Sequence, residues 1–409
     1  MRNIMGGKVF PKFFSNIFSK RFKSESFVVL DIGTYSIKAL YVESRGESTN
    51  VLKYADRRHA GGDISPDGSF NISGITNTCR SVLAEMPHVA KKIVLGIGGG
   101  FVYGKTLTQS YIREQPHKEI EESEFANIIQ KVQQRNFEQI RRDFKRETGR
   151  SELEVQIIGG SIQDIKIDGY QIVNPINFKG KEVTCSLFNS YIPKIYLGIF
   201  NDLISALNLE LVVIVSQPYA VFSKQLRENA EEQDFILIDI GGSVTEVSIA
   251  RKGRLDDIRS ISVGGSSFTR SIAEHLKIGF WEAENIKQKF SGGHVSASAA
   301  KKIESIITQD VELFLHALEI VLSDLSQVTL LPANIYVYGG GAYLPQTLAA
   351  LAENRWRENL SFFSKPRVTA IKLPEQRVPL SMVDMYTVQI RNEDDRAKIL
   401  RRSLRLIQG

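Results

Sequence analysis

The sequence predicts an α/β fold of two lobes, because two similar units recur in its two halves. In the first half an apolar strand ends in Asp31-Ile-Gly-Thr, and the chain then turns back into a second strand. In the second half another apolar strand ends in Asp239-Ile-Gly-Gly and turns back in the same way. A further strand of that half runs into three glycines at 339–341. One strand–turn–strand unit is therefore expected in each lobe.

Length and composition are those of a folded protein without a membrane span. The chain has 409 residues, of which 42% are hydrophobic and 24% charged, so it can bury the core of two domains or of one two-lobed domain. No stretch of about 18 apolar residues is present. Cys79 and Cys185 stand far apart, which favours reduced thiols over a disulfide or a metal site and predicts a cytoplasmic protein.

The positive charge is concentrated at the N-terminal end. The net charge is +6, and the six charged residues before position 25 are all basic: Arg2, Lys8, Lys12, Lys20, Arg21 and Lys23. The rest of the chain is close to neutral. A basic surface that binds nucleic acid is therefore not expected.

The same basic arm carries apolar residues at helical spacing: Phe10, Phe13, Phe14, Ile17, Phe18 and Phe22. Bulky apolar side chains with basic residues beside them are typical of a helix that lies on an anionic membrane surface. A targeting segment and a tail packed on the protein's own body are the alternatives. The preferred interpretation is a peripheral position on the inner face of the cell membrane.

Between the two hairpins lies a stretch that predicts a compact αβ unit, with a long charged helix over 119–145 and an Asp168-Gly169 turn between strands. The glycines within 96–100 are interpreted as part of a bulged strand and not as a dinucleotide loop, because no helix opens after them. The predicted segments are a basic amphipathic arm (1–26), the first lobe in two parts (27–105 and 194–229), an inserted αβ subdomain (106–193), the second lobe (230–390) and a basic C-terminal helix (391–409).

The paired hairpins predict a phosphate clamp. Glycine lets the backbone approach a phosphate closely, and small hydroxyl residues and backbone N–H groups can hold its oxygens. Lys38 follows Asp31 on the returning strand and is placed to reach the β- and γ-phosphates, while Asp31 and Asp239 can hold Mg²⁺ through its waters. The candidate phosphate-binding residues are Gly33, Thr34, Ser36 and Lys38 in the first hairpin and Gly241, Gly242, Ser243 and Thr245 in the second.

Two further segments predict contacts with a nucleoside. Gly339, Gly340 and Gly341 follow a strand and precede a helix start, so that their backbone can lie flat against an adenine and a ribose. Glu284 and Lys287 are three residues apart and share one helix face, from which they could contact the same groups. As an isolated pair they would indicate no more than a solvated helix face.

This order of motifs resembles the superfamily of actin, Hsp70 and the sugar kinases. Two segments narrow the resemblance to the branch formed by FtsA and PilM: Asp168–Gly180 in the inserted unit and Val263–Ala273 in the second lobe. The resemblance covers roughly Phe27 to Ala350. It implies a two-lobed actin-like (RNase H-like) ATPase fold with an inserted αβ subdomain in the first lobe, and ATP and Mg²⁺ as ligands.

The resemblance also implies a role for Gln217, which precedes a proline where many relatives have a glutamate that orients the attacking water. Glutamine can orient water but is a poor base, so ATP hydrolysis is expected to be slow at most. Ser266 and the region after Gly341 depart from the branch, and Met385-Tyr-Thr-Val is at best a remnant of its C-terminal motif. These departures favour a clamp that holds nucleotide over one that turns it over.

The leading functional interpretation is an FtsA-like actin homologue that binds ATP, can form a homopolymer, and links a cell-division assembly with FtsZ-like proteins to the membrane. The alternative is a PilM-like cytoplasmic scaffold of type IV pilus or secretion machinery, which would bind an inner-membrane pilus peptide in the inserted subdomain. A small-molecule kinase of the same superfamily is less favoured, because no catalytic carboxylate beside a substrate cleft can be named.

Overall fold

The computed structural model describes the residues 25–45, 48–59, 64, 69–87, 90–148, 155–326, 330–353, 355–371, 377–390, 398–400 and 402–403. The apolar stripe of the predicted arm lies outside these residues. The last two residues of that arm, 25 and 26, instead begin the first strand. Within the described ranges, no helix is both long enough and apolar enough to cross a membrane.

A five-stranded sheet forms the core of the first lobe. Its strands are β1 (Glu25–Ile32), β2 (Ser36–Arg45), β3 (Ser48–Arg58), β4 (Lys92–Ile97) and β9 (Glu210–Ser216), in the order β3-β2-β1-β4-β9. β2 pairs antiparallel with β1 and β3, whereas β1, β4 and β9 run parallel. Alternate side chains of β1 lie on opposite faces of the sheet and enter two different cores. Leu30 lies in the same core as Phe200, and Val29 lies in the same core as Met382. Burial on both faces explains why β1 is a continuous apolar run.

The second lobe repeats this topology. Its strands are β10 (Phe235–Ile240), β11 (Thr245–Arg251), β12 (Arg254–Ile261), β13 (Asn334–Tyr338) and β14 (Arg367–Ala370), in the order β12-β11-β10-β13-β14. β10 is flanked by β11 on its antiparallel side and by β13 on its parallel side, as β1 is flanked by β2 and β4. The predicted fold of two lobes with one strand–turn–strand unit in each is confirmed.

An inserted unit leaves the first-lobe sheet after β4 and returns to it at β9. It contains β5 (Tyr103–Ile112), α2 (Glu122–Thr148), β6 (Val155–Ile167), β7 (Tyr170–Gln171) and β8 (Glu182–Pro193). Its sheet is hydrogen-bonded to the second lobe, because β5 pairs with β12 through Lys105 opposite Asp257 and Gly104 opposite Ile258. One nine-stranded sheet therefore runs from β14 to β7 through both units.

Helices cover these sheets. They are α1 (Ile72–Leu83), α3 (Lys194–Ala206) and α4 (Gln217–Glu228) on the first lobe and α5 (Gly265–Leu276), α6 (Phe280–Ser291), α7 (Ala297–Ser326) and α8 (Pro345–Ala352) on the second, with 3₁₀ turns at Gly340–Tyr343 and Arg355–Arg357. α1 begins where the Asn71 side chain accepts a hydrogen bond of 3.2 Å from the Gly74 N–H. α4 begins with a proline in its first turn, where no N–H is needed.

The C-terminal part of the described chain corrects one predicted boundary. α9 (Arg377–Asp384) and the π-helix Met385–Ile390 fall in the segment predicted for the second lobe, but they pack into the core of the first lobe. Met382 is fully buried there, and the Tyr386 ring meets Phe27 edge-on with centroids 4.9 Å apart. The position of this segment in the sequence predicts that it belongs to the second lobe. The burial of its apolar side chains shows that it packs in the first lobe instead.

Both cysteines are buried free thiols. Cys79 lies in the first-lobe core and Cys185 in the core of the inserted unit. Burial raises the pKa of each thiol to about 12, so neither is a reactive thiolate at neutral pH. This agrees with the expectation of reduced cysteines that fill apolar space.

Candidate functional site: the cleft between the lobes

The two predicted hairpins fold into the same tight turn. The Gly33 N–H donates to the Ser36 carbonyl oxygen at 3.1 Å, and the Gly241 N–H donates to the Val244 carbonyl oxygen at 3.0 Å. Glycine is required because a Cβ atom on Gly241 would lie 2.8 Å from that oxygen of Val244. The Asp-x-Gly signature therefore encodes equivalent backbone turns at the ends of β1 and β10.

The two hairpins meet across the cleft between the lobes. The Ser243 N–H donates a hydrogen bond of 2.9 Å to the hydroxyl oxygen of Thr34. Gly242 lies so close to the first hairpin that an added Cβ would be 2.8 Å from the Cβ of Tyr35. The lobes thus approach each other through residues that the sequence predicts to hold phosphate.

Two aspartates and one lysine lie at the base of the cleft. Asp31 stands directly opposite Lys38 in the β1–β2 ladder, and Gln217 Nε2 donates a hydrogen bond to Asp31 Oδ1. Burial raises the pKa of Asp31 to about 6 and that of Asp239 to about 7, and the positive charge of Lys38 opposes both shifts. Lys38 is therefore shared by the aspartates of both lobes.

The donor set at this position fits a hydrated Mg²⁺ ion. Buried carboxylates whose charge is disfavoured would be stabilised by a divalent cation, and Mg²⁺ takes oxygen ligands while it keeps several waters. In the described part of the chain, no group of three His, Cys, Asp or Glu side chains is arranged as a direct metal site. The sequence-based expectation for Asp31 and Asp239 is contact with Mg²⁺ through its waters.

Glu246 is a residue of the cleft that sequence reasoning missed. It stands opposite Asp239 in the β10–β11 ladder and is only 5% exposed. Burial, and next the nearby Asp239, raise its pKa to about 8, against hydrogen bonds from the N–H groups of Gly99 and Gly100. A signal for it exists in the sequence, because Glu246 follows Asp239 by the same seven residues that separate Lys38 from Asp31.

The glycines at 98–100 form a turn that borders the cleft, so the prediction of a bulged strand is wrong. Gly99 and Gly100 have φ angles of +66° and +87°, and β5 begins after this turn. A methyl group on Gly98 would collide with Gln217 Oε1 and would lie 2.9 Å from Glu246 Oε2. Positive φ and close contact both require glycine here. The expectation that no helix follows, which excludes a dinucleotide loop, agrees with the fold.

The predicted nucleoside pair on α6 is part of an ordered network. Lys287 Nζ lies 2.8 Å from Glu284 Oε2 and donates to the Gly265 carbonyl oxygen and the Thr269 hydroxyl oxygen, each at 2.7 Å. Burial alone would raise the pKa of Glu284, but the charge of Lys287 and hydrogen bonds from Lys287, Thr269 and Gln288 outweigh it, so the pKa is lowered. The pair is therefore a fixed, charged feature and not a solvated helix face.

The glycine turn at 339–341 lies against the second hairpin. Gly339 has a φ of +91°, and a Cβ atom on it would lie 2.6 Å from the carbonyl oxygen of Ile240. Gly265, at the start of α5, lies between the glycine turn and the α6 pair. A Cβ atom added to it would lie 3.5 Å from Lys287 Nζ and 3.7 Å from Gly341 Cα. The glycine turn, the start of α5 and the α6 pair therefore converge beside the second hairpin, while Gly340 is exposed.

Tyr35 is a second residue that the sequence did not indicate. It extends from the first hairpin to α6 of the second lobe, where its hydroxyl oxygen accepts a hydrogen bond of 3.0 Å from Gln288 Nε2. Its ring centroid lies 6.2 Å from that of Trp281, and the Arg58 guanidinium carbon lies 5.5 Å from the Tyr35 ring centroid. The contacts with Gln288 and Trp281 bridge the two lobes beside the predicted nucleoside residues.

Thr245 departs from its predicted role. It is fully buried, and its hydroxyl donates a hydrogen bond of 2.7 Å to the Val263 carbonyl oxygen. This hydrogen bond ties the first residue of β11 to the segment that precedes α5. Ser36 and Ser243 are also buried; Ser36 is the first residue of β2, where the first turn ends, and Ser243 lies within the second turn. The two hairpins meet across the cleft through Thr34 and Ser243, and Lys287 and Gly341 of the second lobe lie near Gly265.

Comparison with known proteins gives a consistent result. The family model described as "Cell division protein FtsA" matches residues 236–376. The cell division protein FtsA of Bacillus subtilis (strain 168) is 21% identical over 385 residues, which cover 88% of this chain and 83% of the relative. The FtsA of Streptococcus pneumoniae is 21% identical over 341 residues, or 78% and 71% of the two chains.

Among solved structures, a PilM-PilN type IV pilus biogenesis complex aligns with a TM-score of 0.59 and 17% identity, over 93% of this chain and 98% of that one. The repeated lobes and the facing hairpins define an actin-like fold. The family model and the curated relatives show that the chain is similar to FtsA, and the solved structure shows a fold similar to that of PilM.

Proposed function

We propose that the chain is an FtsA-like actin homologue whose cleft binds ATP with Mg²⁺. The observation that carries this proposal is the contact between two equivalent Asp-x-Gly hairpins, with Lys38 acting on the aspartates of both. Turn N–H groups and one lysine suit the β- and γ-phosphates of a nucleotide. The curated relatives, which are named as cell-division proteins, support the assignment.

Each group in the cleft would have its own task. The turns at Gly33 and Gly241, with the Thr34 hydroxyl, would hold phosphate oxygens. Asp31 and Asp239 would hold the waters of Mg²⁺, which when bound supplies positive charge at the phosphates. The Glu284–Lys287 pair and the glycine turn at 339–341 would border the ribose and adenine.

Slow turnover follows from the groups around Gln217. Its Nε2 donates to Asp31, which leaves Oε1 as an acceptor that can orient a water molecule but cannot take its proton. Glu246, which borders Gly98 together with Gln217, has a pKa of about 8 and keeps its proton at neutral pH in the ligand-free cleft. The cleft is therefore better suited to holding ATP than to hydrolysing it.

Thermal melting with and without ATP and Mg²⁺ tests the nucleotide assignment. Asp239→Asn removes one carboxylate at nearly constant size, and we expect it to abolish the rise in Tm that ATP produces in the wild type. Asp202→Asn changes an exposed aspartate on α3 and should keep the full rise. An equal rise in both variants would refute the assignment.

We further propose that the basic arm places the protein on the inner face of the membrane, where its partners would be division proteins. The aromatic stripe with flanking lysines motivates this proposal. In flotation with vesicles that contain anionic lipids, Phe14→Glu/Phe18→Glu should remain at the bottom of the gradient. Phe363→Glu, which changes a phenylalanine that is 81% exposed on the folded body, should float like the wild type. Flotation of both variants would contradict the proposal.

A PilM-like scaffold of pilus or secretion machinery is the second candidate. The observation that favours it is the structural similarity to the PilM-PilN complex along nearly the whole chain. Pull-downs with FtsZ-type C-terminal peptides and with inner-membrane pilus peptides separate the candidates. Retention of the FtsZ-type peptide supports the division role, and retention of the pilus peptide replaces it with the scaffold.

A further inference from the structure

The Glu284 carboxylate on α6 accepts hydrogen bonds from four partners in this structure. Its Oε2 atom accepts from the Thr269 hydroxyl and lies 2.8 Å from Lys287 Nζ. Its Oε1 atom accepts a hydrogen bond of 3.0 Å from Gln288 Nε2, and the carboxylate also accepts one from the Tyr35 hydroxyl. A carboxylate can accept about four hydrogen bonds. These partners therefore fill the acceptor capacity of Glu284.

The four partners of Glu284 do not all belong to one lobe. Thr269 on α5 and Lys287 and Gln288 on α6 lie in the second lobe, as Glu284 itself does. Tyr35 lies in the first hairpin and reaches Glu284 across the cleft. When the lobes separate, the contacts within the second lobe persist and the one from Tyr35 is lost. Opening of the cleft thus frees one acceptor position, on a residue that is predicted to border the ribose.

The position of Tyr35 is fixed by the first lobe. The His59 N–H donates a hydrogen bond of 3.1 Å to the Tyr35 carbonyl oxygen, and His59 Nε2 lies 2.9 Å from the Gly33 carbonyl oxygen. The end of β3 therefore holds the first hairpin in place. Burial, and next the negative charge of Glu284, raise the pKa of Tyr35, so the hydroxyl keeps the proton that it donates. Tyr35 presents a fixed O–H donor to α6.

We propose that the Tyr35 hydroxyl is an internal ligand of Glu284, which takes the position of a ribose hydroxyl and which a nucleotide must displace in order to bind. A ribose hydroxyl is the same kind of donor as the tyrosine O–H, and the carboxylate can accept either. The inference rests on the proposed binding of ATP in the cleft. It adds to that site a competing group that the protein itself supplies.

The displacement gives the Tyr35 contact opposite effects on the protein and on its ligand. A hydrogen bond to a charged group stabilises the closed cleft when no nucleotide is bound. The same bond lowers the apparent affinity for nucleotide, because only molecules in which it is broken can bind the sugar. A tyrosine that merely supported the site would act differently, since its loss would weaken both the fold and the binding. The direction of the change in ATP affinity therefore separates the two roles.

Isothermal titration calorimetry with ATP and Mg²⁺ tests the proposal. Tyr35→Phe removes the hydroxyl and keeps the ring. We expect this variant to bind ATP at least about tenfold more tightly than the wild type, because a hydrogen bond to a charged group no longer has to be broken. Tyr170→Phe removes the hydroxyl of a tyrosine that is 77% exposed on the inserted unit, and it should bind as the wild type does. Equal or weaker binding of ATP by Tyr35→Phe would overturn the proposal.

The same titration with 2′,3′-dideoxy-ATP tests whether the tyrosine replaces the sugar. This nucleotide lacks both ribose hydroxyls and does not compete for Glu284, so Tyr35→Phe should bind it no more tightly than the wild type does. An equal gain with ATP and with the dideoxy nucleotide would mean that the Tyr35 hydroxyl obstructs the cleft without standing in for a ribose hydroxyl.

Thermal melting without nucleotide completes the test. Tyr35→Phe should lower the Tm, because it loses a hydrogen bond between the lobes, and an unchanged Tm would show that this bond is not formed. The failure of this inference is distinct from that of the proposed function. If neither the wild type nor Tyr35→Phe binds ATP, the nucleotide assignment falls and this proposal falls with it. If both bind ATP with the same affinity, only the displacement of Tyr35 is refuted.

Discussion

Lys38 and Glu246 occupy equivalent positions in the two lobes. Each stands on the returning strand, opposite the aspartate with which the preceding strand ends. The repeated topology thus brings a basic residue from one lobe and an acidic residue from the other to the same cleft. Lys38 lies among acids of both lobes, whose pKa values are raised by burial. Without a ligand, the base of the cleft therefore holds more acidic groups than basic ones.

We expect the ligand-free protein to lose stability as the pH rises from about 5 to about 8. Glu246 has a pKa of about 8 in the folded chain and an ordinary value of 4.5 when unfolded, so in this range the folded chain holds a proton that the unfolded chain has released. Each such group lowers the free energy of unfolding by up to about 1.4 kcal/mol per pH unit. Asp31 and Asp239 act in the same direction at lower pH. Urea unfolding at four pH values measures the decline.

Glu246→Gln identifies the contribution of this residue. The variant keeps the shape of the side chain and removes its titration, so the decline should flatten and the stability at pH 8 should increase. Glu231→Gln, at an exposed position before β10, should retain the wild-type profile. A wild-type profile for Glu246→Gln would contradict the assigned pKa.

Lys38→Met should weaken ATP binding by at least about tenfold. The substitution removes a charge-assisted hydrogen bond to phosphate, worth about 1.5–3 kcal/mol, and leaves Asp31 and Asp239 without their shared cation. Isothermal titration calorimetry in the presence of Mg²⁺ measures the affinity. Lys53→Met, at an exposed position of β3, should bind as the wild type does, and the same affinity in both variants would exclude Lys38 from the phosphate site.

Tyr35→Ala should loosen the contact between the lobes. It removes the hydrogen bond from Gln288 and the ring contact with Trp281, so amide hydrogen exchange at 31–36 and 239–245 should become faster. Tyr35→Phe keeps the ring and loses only the hydrogen bond, and it should give an intermediate rate. Tyr343→Ala changes a half-exposed tyrosine and serves as the control. Unchanged exchange at both hairpins in Tyr35→Ala would show that the bridge does not hold the lobes.

Met382→Ala should lower the free energy of unfolding by about 2–5 kcal/mol, because it leaves a cavity in the first-lobe core. Urea unfolding measures the loss. Leu313→Ala, at a position that is 58% exposed on α7, should change the stability by no more than about 0.5 kcal/mol. Equal losses would indicate that α9 does not stabilise the first lobe.

The parts of the site that depend on local geometry could be predicted from the sequence. An aspartate, a glycine two residues later and a preceding apolar strand determine the turn at Gly33 and at Gly241, so both hairpins and their equivalence were predictable. Glu246 was missed because one acid in an apolar strand gives no local signal, and only its spacing from Asp239 distinguishes it.

Features that depend on packing over long sequence separations were not predictable. Thr245 resembles a phosphate ligand in the sequence, but the approach of Val263 decides where its hydroxyl points. The apolar residues of α9 show that the helix is buried without showing by which lobe. Gly99 and Gly100 require positive φ, which the apolar strand before them does not reveal.

The inserted unit is tied to both lobes, and this limits how the molecule can move. The inserted unit is continuous in sequence with the first lobe. Its sheet, however, is hydrogen-bonded to the second lobe through the pairs of Lys105 with Asp257 and Gly104 with Ile258. These pairs begin only four residues after Gly100, the turn that hydrogen-bonds Glu246 in the cleft. A rotation of one lobe against the other must either shear this short ladder or swing the inserted unit along with the second lobe. In the second case, the far end of the inserted unit would change its position relative to the first lobe whenever the cleft opens or closes.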